Sequence, residues 1–307
     1  MCEVSLLDVV AKIALSGAQI LLSGDDAQLP PIGNFWHGVP PPAFLDSDLM
    51  KELAPVRIEL TVCKRCGPMV TEFVSQTFDF AKDFTSSRDQ NTWLWFVFYD
   101  GNGWSQTPFG YYAREGKRRR LDDLGWHHSL YGTLLLWCMK DLSWVQKKIP
   151  ESKRTNPPVA IAVPLERVAR PLAVLCDALF GDQVKVFTHH AIRGLSVNVV
   201  HGLRHRRWIG AEDQFAGVQE DSERDYMVQT RGKDKTVMWL EKQPYGTPPE
   251  RQKGKGRKGR QSSKGGSKGS KEKEQGPSKQ EKYAIRMNKV IENLQIPWFD
   301  LGKSYDT

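Results

Sequence analysis

A chain of 307 residues with 39% hydrophobic and 10% aromatic residues has enough apolar content for a folded core, which excludes a wholly disordered protein. Residues 250–282 hold 12 basic and 4 acidic side chains, which accounts for the whole net charge of +8. An inference of nucleic-acid binding from net charge therefore applies to this segment and not to the rest of the chain. The five cysteines are scattered along the chain, which favours an intracellular protein, cytoplasmic or nuclear. The longest apolar run, Trp93 to Tyr99, is far shorter than the ~20 residues that span a bilayer, so we expect no membrane partner.

The spacing of apolar residues in 1–84 predicts alternating helices and strands. Apolar residues follow helical spacing from Val4 to Ala14, and the short apolar run from Ala18 to Ser23 is closed by a Gly-Asp-Asp turn. Such a run is typical of a strand buried in a parallel sheet. From Pro68 to Phe84 the helical spacing returns, which predicts a second helix.

Residues 85–156 have a different character. They contain six of the ten tryptophans and the basic run 117–120. We predict here a Trp-rich insertion with its own small cluster, or sequence foreign to the fold.

Residues 157–243 again predict βαβ order. The pattern indicates a helix from Leu165 to Leu179, surrounded by apolar or β-branched runs. The predicted strands are Val159–Val163, Gln183–Phe187, Val197–His201, Met227–Thr230 and Thr236–Leu240. Alternating helices and strands argue for a parallel sheet.

Residues 244–281 are rich in Gly, Ser, Lys, Arg and Gln and lack any apolar run, so we predict a disordered basic linker. A short C-terminal segment, 282–307, follows, with helical spacing from Tyr283 to Leu294.

The string from Leu21 to Pro31 carries the strongest motif. It resembles motif III of superfamily 1 helicases, whose pattern is G-D-x-x-Q-L-P-P. The resemblance implies that Gly24, Asp25 and Gln28 bind the nucleotide and that Gln28 contacts the γ-phosphate. The alternative is a structural strand and turn with a chance glutamine.

The segment 2–8 resembles motif II of the same family, usually D-E-x-S-x. The resemblance implies that Glu3 activates the attacking water. Cys2 stands where the family has the aspartate that holds Mg²⁺, and a thiolate is a poor ligand for a hard cation. We therefore assign no metal ligand; an unpaired acid at a frayed terminus is the alternative for Glu3.

The run from Ile58 to Arg65 resembles motif IV, which implies that Arg65 reaches the γ-phosphate. A solvated surface charge is the alternative for Arg65. Cys63 and Cys66 also have the spacing of a zinc pair, but a structural zinc site needs four ligands and no second pair of this kind occurs.

Two further matches lie in the second half. Residues 186–200 resemble motif V, which implies that Thr188 and His189 face the nucleic-acid backbone and that Gly194 permits a tight turn near the nucleotide. Asn198 replaces the usual aspartate, and a buried core histidine is the alternative for His189. Residues 226–232 resemble motif VI, which implies that Arg231 is an arginine finger.

The basic linker is a candidate nucleic-acid arm whose binding would weaken steeply with salt. Its candidate contacts are Lys253, Lys255, Arg257, Lys258 and Arg260. A solvated linker and a nuclear-localisation patch are the alternatives.

Together the motifs predict an α/β fold of two incomplete RecA-like parallel-sheet domains, 1–84 and 157–243, with the Trp-rich insertion between them and the disordered basic tail after them. The resemblance implies nucleic-acid-dependent ATP hydrolysis and strand unwinding, with ATP and Mg²⁺ as cofactors and single-stranded DNA or RNA as partner. No P-loop, G-x-x-x-x-G-K-[ST], precedes motif II, so we expect that this chain alone neither binds ATP tightly nor hydrolyses it. A non-catalytic nucleic-acid-binding or adaptor protein on a helicase scaffold is the alternative.

Overall fold

The computed structural model describes residues 12, 13, 15–17, 60–99, 130–164, 166–204, 221–242 and 279–301. Its strands are β1 (Val62–Cys63), β2 (Thr85–Ser86), β3 (Trp93–Tyr99), β4 (Val159–Val163), β5 (Val184–Thr188), β6 (Val197–Arg204), β7 (Gly232–Glu241) and β8 (Trp298–Asp300). Its longer helices are α1 (Pro68–Thr77), α2 (Leu130–Lys148), α3 (Glu166–Phe180), α4 (Asp221–Gln229) and α5 (Lys279–Asn293).

Six strands form one sheet in the order β5-β4-β6-β7-β3-β8, and every neighbouring pair is parallel. The first two strands form a separate parallel pair. Parallel pairing needs crossover connections, and helices α1 to α5 cover the faces of the large sheet. The predicted α/β class with a parallel sheet is confirmed.

The two faces of the sheet carry different helices. Helices α1, α4 and α5 pack on one face, where Phe73 of α1 lies 5.4 Å from Phe96 of β3 between ring centroids. Helices α2 and α3 pack on the other face, where Leu134 and Leu172 are completely buried. Burying apolar surface on both sides of one sheet is the main stabilising contribution to this three-layer arrangement.

Strand β3 corrects the predicted Trp-rich insertion. It lies inside the sheet, pairing with β7 from Trp93↔Lys235 to Tyr99↔Glu241 and with β8 on its other side. Its apolar run has buried residues on both faces, which is the pattern of a strand covered on both sides. Helix α2 also packs on this sheet, so β3 and α2, the two longest described elements of residues 85–156, belong to the common core.

Helix α1 corrects the assignment of its segment to a first lobe. Its Val70, Phe73 and Val74 are completely buried in the same core as β3 and α5. Arg286 of α5 also donates from Nε to the Gln76 carbonyl at 2.8 Å. Helix α1 therefore packs on the same sheet that contains β4 to β7.

Two predicted elements need smaller corrections. The helix predicted over 68–84 ends at Thr77 and is followed by a 3-10 turn at Asp79–Ala81. Residues 227–229, predicted as strand, are the last turn of α4. Three neighbouring buried side chains, Tyr226, Met227 and Val228, give this helix end the apolar run of a strand.

A buried polar network joins α2 to the centre of the sheet. Asp141 of α2 accepts from Lys235 Nζ at 2.7 Å and lies 3.1 Å from His201 Nε2. Trp239 Nε1 donates to His201 Nδ1 at 3.2 Å. The Lys235 ammonium also lies 4.4 Å from the centre of the Trp95 ring, a cation–π distance. These partners satisfy charges that would otherwise be costly to bury.

Candidate functional site

A basic cavity of about 450 Å³ opens beside the amino-terminal ends of β6 and β7. It is lined by Cys63, Lys64, Arg65, Phe84, Arg193, Gly194, Tyr226, Thr230 and Arg231. The lining residues include four cations and no acidic side chain. The cavity is therefore suited to an anionic ligand.

Arg65 follows β1 and forms one wall. Its Nη1 donates to the Thr230 carbonyl at 3.1 Å, which links residues 165 positions apart in the chain. Arg88 donates from Nη1 to the Arg65 carbonyl at 2.6 Å and also to the Lys233 carbonyl. These contacts hold the guanidinium of Arg65 at the cavity, so it is a positioned donor and not a solvated surface charge.

Arg193 and Gly194 come from the connection between β5 and β6. The turn is held by the Ile192 amide, which donates to the Thr188 carbonyl at 3.0 Å, and by the Leu195 amide, which donates to the Ile192 carbonyl at 3.1 Å. Gly194 has φ +82°, and an added Cβ would meet nothing within 4 Å. Backbone conformation, and not lack of space, therefore explains the glycine here.

Arg231 connects α4 to β7 and is 4% exposed. Its Nε donates to the Met227 carbonyl at 2.9 Å, and its carbonyl accepts from the Val197 amide at 3.2 Å. At the next residue, Gly232, an added Cβ would lie 2.4 Å from the Lys235 carbonyl oxygen. The backbone on both sides of Arg231 is therefore packed tightly against β6 and β7.

The structure brings three predicted nucleotide-site residues together. Arg65, Gly194 and Arg231 were assigned from three separate motifs, and all three line the same cavity. Thr188 lies at the end of β5, half-buried, where its Oγ1 accepts from the Ala191 amide at 3.1 Å. Its contact there is with the turn that carries Gly194.

His189 does not fit the predicted contact with nucleic acid. It has no exposed surface, and its backbone amide donates to the Val163 carbonyl at 2.9 Å. Burial, together with the charges of Arg204 and Arg224, lowers the pKa of His189 well below its ordinary value. It is a neutral core histidine, so the prediction that its side chain faces the nucleic-acid backbone is wrong, and the alternative of a buried core histidine is correct.

Asn198, the replacement of the motif V aspartate, has a structural role. Its side chain accepts from the Thr155 amide at 2.7 Å and donates to Asp234 Oδ2 at 2.8 Å. The amide group can donate and accept at once, which an ionised carboxylate cannot.

The other predicted site residues lie outside the described residues. They are Glu3, Gly24, Asp25 and Gln28 of the nucleotide motifs and Lys253, Lys255, Arg257, Lys258 and Arg260 of the basic linker. That linker, 244–281, enters the described residues only at 279–281, in the first turn of α5.

Sequence reasoning missed several residues of the cavity. Arg193 and Thr230 are direct neighbours of the motif residues Gly194 and Arg231. Phe84 and Tyr226 add aromatic walls; Phe84 lies outside every motif, and Tyr226 begins the motif VI segment but was assigned no role. The sequence analysis considered Cys63 only as a zinc ligand. In the described part of the chain, no three His, Cys, Asp or Glu side chains form a metal-binding group.

Comparisons with known proteins give no sequence match, and the likeness to solved structures is distant. No protein-family model matches the chain, and no curated protein matches it. The chain is similar in structure to the C-terminal domain of a possible DNA helicase from Lactobacillus plantarum WCFS1, with a TM-score of 0.33 and 10% sequence identity, over 58% of this chain and 86% of that one.

None of the helices in the described ranges is long and apolar enough to span a membrane.

Proposed function

We propose that the described domain is the phosphate-sensing lobe of a superfamily 1 helicase-type ATPase, and that its basic cavity receives the terminal phosphates of a nucleoside triphosphate. The observation that supports this is the convergence of Arg65, Gly194 and Arg231 on one cavity. Three motifs chosen for nucleotide contact had no reason to meet in space if each match were accidental.

The donor set of the cavity suits phosphate oxygens. Arg65 and Arg193 present planar guanidinium groups, which match phosphate oxygens in pairs of hydrogen bonds. Lys64 adds a point charge, and the exposed backbone at Gly194 allows close approach of a ligand. Bound ATP would supply the γ-phosphoryl group, and these cations would stabilise the negative charge that develops on it.

The described residues do not supply a site for Mg²⁺. They contain no cluster of three carboxylate, histidine or cysteine side chains, and the cavity wall has no carboxylate. Glu3, proposed to activate water, lies outside the described residues. We therefore propose for the described domain the recognition of the triphosphate alone.

Nucleic acid is part of the same proposal. Residues 250–282 carry the whole excess of positive charge, and a cationic segment gains affinity for a phosphate backbone by counterion release. Single-stranded DNA or RNA is the partner that the resemblance implies, and strand unwinding is proposed only for an assembly that also contains a P-loop.

The test is titration of the full chain with inorganic tripolyphosphate at physiological ionic strength, where the Debye length of about 8 Å screens distant charges. Arg65→Ala is expected to weaken binding by about 10- to 150-fold, because a charge-assisted hydrogen bond contributes roughly 1.5–3 kcal/mol. Arg170→Ala is the matched control, since Arg170 lies on α3 with 79% of its side chain exposed and is expected to leave affinity unchanged. Equal affinity of the two variants would refute the assignment of the cavity.

A further inference from the structure

We propose that Cys63 and Cys66 form a thiol–disulfide exchange site in the wall of the basic cavity, with anionic low-molecular-weight disulfides as substrates. The inference goes beyond nucleotide recognition, and its test needs no nucleotide.

The geometry assigns different roles to the two cysteines. Cys63 is half-buried and lines the cavity, so a small disulfide can reach its sulfur. Cys66 has no exposed surface, and its amide donates to Cys63 Sγ at 3.3 Å. The accessible thiol is therefore the attacking group, and the buried one lies beside it as the resolving group.

The surroundings favour the thiolate form of Cys63. A hydrogen bond from the Cys66 thiol lowers the pKa of Cys63 to about 6, helped by the amides of Cys66 and Arg65 and by the charge of Arg65, against the effect of burial. The hydrogen bond with Cys63 and burial raise the pKa of Cys66. Cys63 is therefore the thiolate and Cys66 the protonated thiol, which is the arrangement that thiol–disulfide exchange requires of an attacking and a resolving cysteine.

The electrostatics of the cavity select the substrate class. The charged side chains that line it with Cys63 are Lys64, Arg65, Arg193 and Arg231. All four are cations, so a disulfide carrying carboxylates is attracted and a cationic disulfide is repelled. Glutathione disulfide is a probe with the required charge.

The exchange balances in two steps. The Cys63 thiolate attacks one sulfur of the disulfide R–S–S–R, forming the mixed disulfide Cys63–S–S–R and releasing R–S⁻. The Cys66 thiol gives its proton to water and attacks the Cys63 sulfur, which forms the Cys63–Cys66 bond and releases the second R–S⁻. The two cysteines lose two electrons, and the small disulfide gains them as two thiolates.

Oxidation would also remove a thiol proton next to the backbone around Arg231. The Cys66 Sγ lies 3.4 Å from the Thr230 carbonyl oxygen and 3.8 Å from that of Gly232, the residues on either side of Arg231. Forming the disulfide removes the single Cys66 proton, for which these two carbonyls and the Cys63 sulfur are the neighbouring acceptors. The thiol state is thereby coupled to the segment that places Arg231.

The experiment treats the full chain, in a Cys2→Ser background, with glutathione disulfide and follows the products by intact and peptide mass spectrometry. We expect loss of two hydrogens and a Cys63–Cys66 crosslink. Cys66→Ala is expected to stop at one glutathione on Cys63, and Cys63→Ser to abolish the reaction. Buried Cys138 and Cys176 are internal controls, since burial raises the pKa of Cys138 and raises that of Cys176 to about 12.

The pH dependence of the rate gives a second readout that a folding defect would not imitate. The rate for Cys63 is expected to level off above about pH 7, whereas an ordinary thiol gains rate up to its pKa of about 8.5. Arg65→Ala is expected to slow glutathione disulfide more than the neutral hydroxyethyl disulfide. A rate for Cys63 no higher than for Cys138, or a Cys66→Ala protein with no mixed disulfide, would overturn the proposal.

Discussion

Replacing Asp141 with asparagine is expected to lower the free energy of unfolding by about 3–5 kcal/mol at neutral pH, the usual effect of removing one partner from a buried ion pair. The Asp141 side chain is only 7% exposed and faces the Lys235 ammonium at 2.7 Å and His201 Nε2 at 3.1 Å. The neutral amide leaves the Lys235 charge, whose side chain is 13% exposed, without its anionic partner.

Chemical denaturation of the full chain measures this loss. Asp177→Asn is the matched control, because Asp177 pairs with Lys185 at 2.9 Å while 56% of its side chain is exposed. An exposed pair contributes about 1 kcal/mol or less. If both variants lost the same stability, the buried network would not have the structural role described above.

The effect of Asp141 has a predictable pH dependence. Burial alone would raise its pKa, but the hydrogen bonds from His201 and Lys235 and the charge of Lys235 outweigh burial and hold the pKa below its ordinary value. A lowered pKa in the folded state contributes stability above the unfolded-state pKa, about 3.9, and loses it as the pH falls through the folded-state pKa. The difference between wild type and Asp141→Asn should therefore be full at neutral pH and shrink below about pH 4.

Trp239→Ala is expected to cost about 3–5 kcal/mol, the range for removing a buried aromatic side chain. Trp239 has no exposed surface, lies 5.4 Å from Trp137 between ring centroids and donates to His201 Nδ1 at 3.2 Å. Its loss leaves both a cavity and an acceptor without its donor.

Trp93→Ala is the matched control on the neighbouring strand, since Trp93 is 49% exposed and loses less apolar contact. We expect its cost to be less than half that of Trp239→Ala. Trp239→Phe separates the two contributions, because it keeps most of the apolar area and removes the indole donor. Comparable losses for Trp93→Ala and Trp239→Ala would contradict the assigned packing.

The sequence predicts best those elements whose pattern is local. The predicted bounds of Val159–Val163 match β4, and α3 differs from its predicted range by one residue at each end. An unbroken apolar run rich in β-branched residues and a helical repeat can both be recognised without knowledge of distant partners. The run from Trp93 to Tyr99 was noted as apolar but not as a strand, although it has the pattern of a buried strand. Its partners β7 and β8 lie far along the chain, so the local pattern does not show where it pairs.

In the site, too, features with a local sequence pattern were predicted and features that depend on distant contacts were not. Arg65, Gly194 and Arg231 were identified by motif, and each lines the cavity. Their meeting on one domain was not predicted, because that depends on α1 packing against β3 and α5. His189 was assigned to the surface from its motif position, whereas the register of β4 beside β5 places it in the core. Cys63 gained its significance only from the hydrogen bonds that the fold provides.

The central claim is that the basic cavity binds the terminal phosphates of a nucleoside triphosphate. Arginine side-chain NMR of the ¹⁵N-labelled full chain, with signals assigned through Arg→Lys variants, tests it most directly during addition of inorganic tripolyphosphate. The account predicts saturable shifts of the Arg65, Arg193 and Arg231 signals and an unmoved Arg170 signal. Shifts confined to arginines within residues 250–282, with the three cavity signals unchanged, would contradict it.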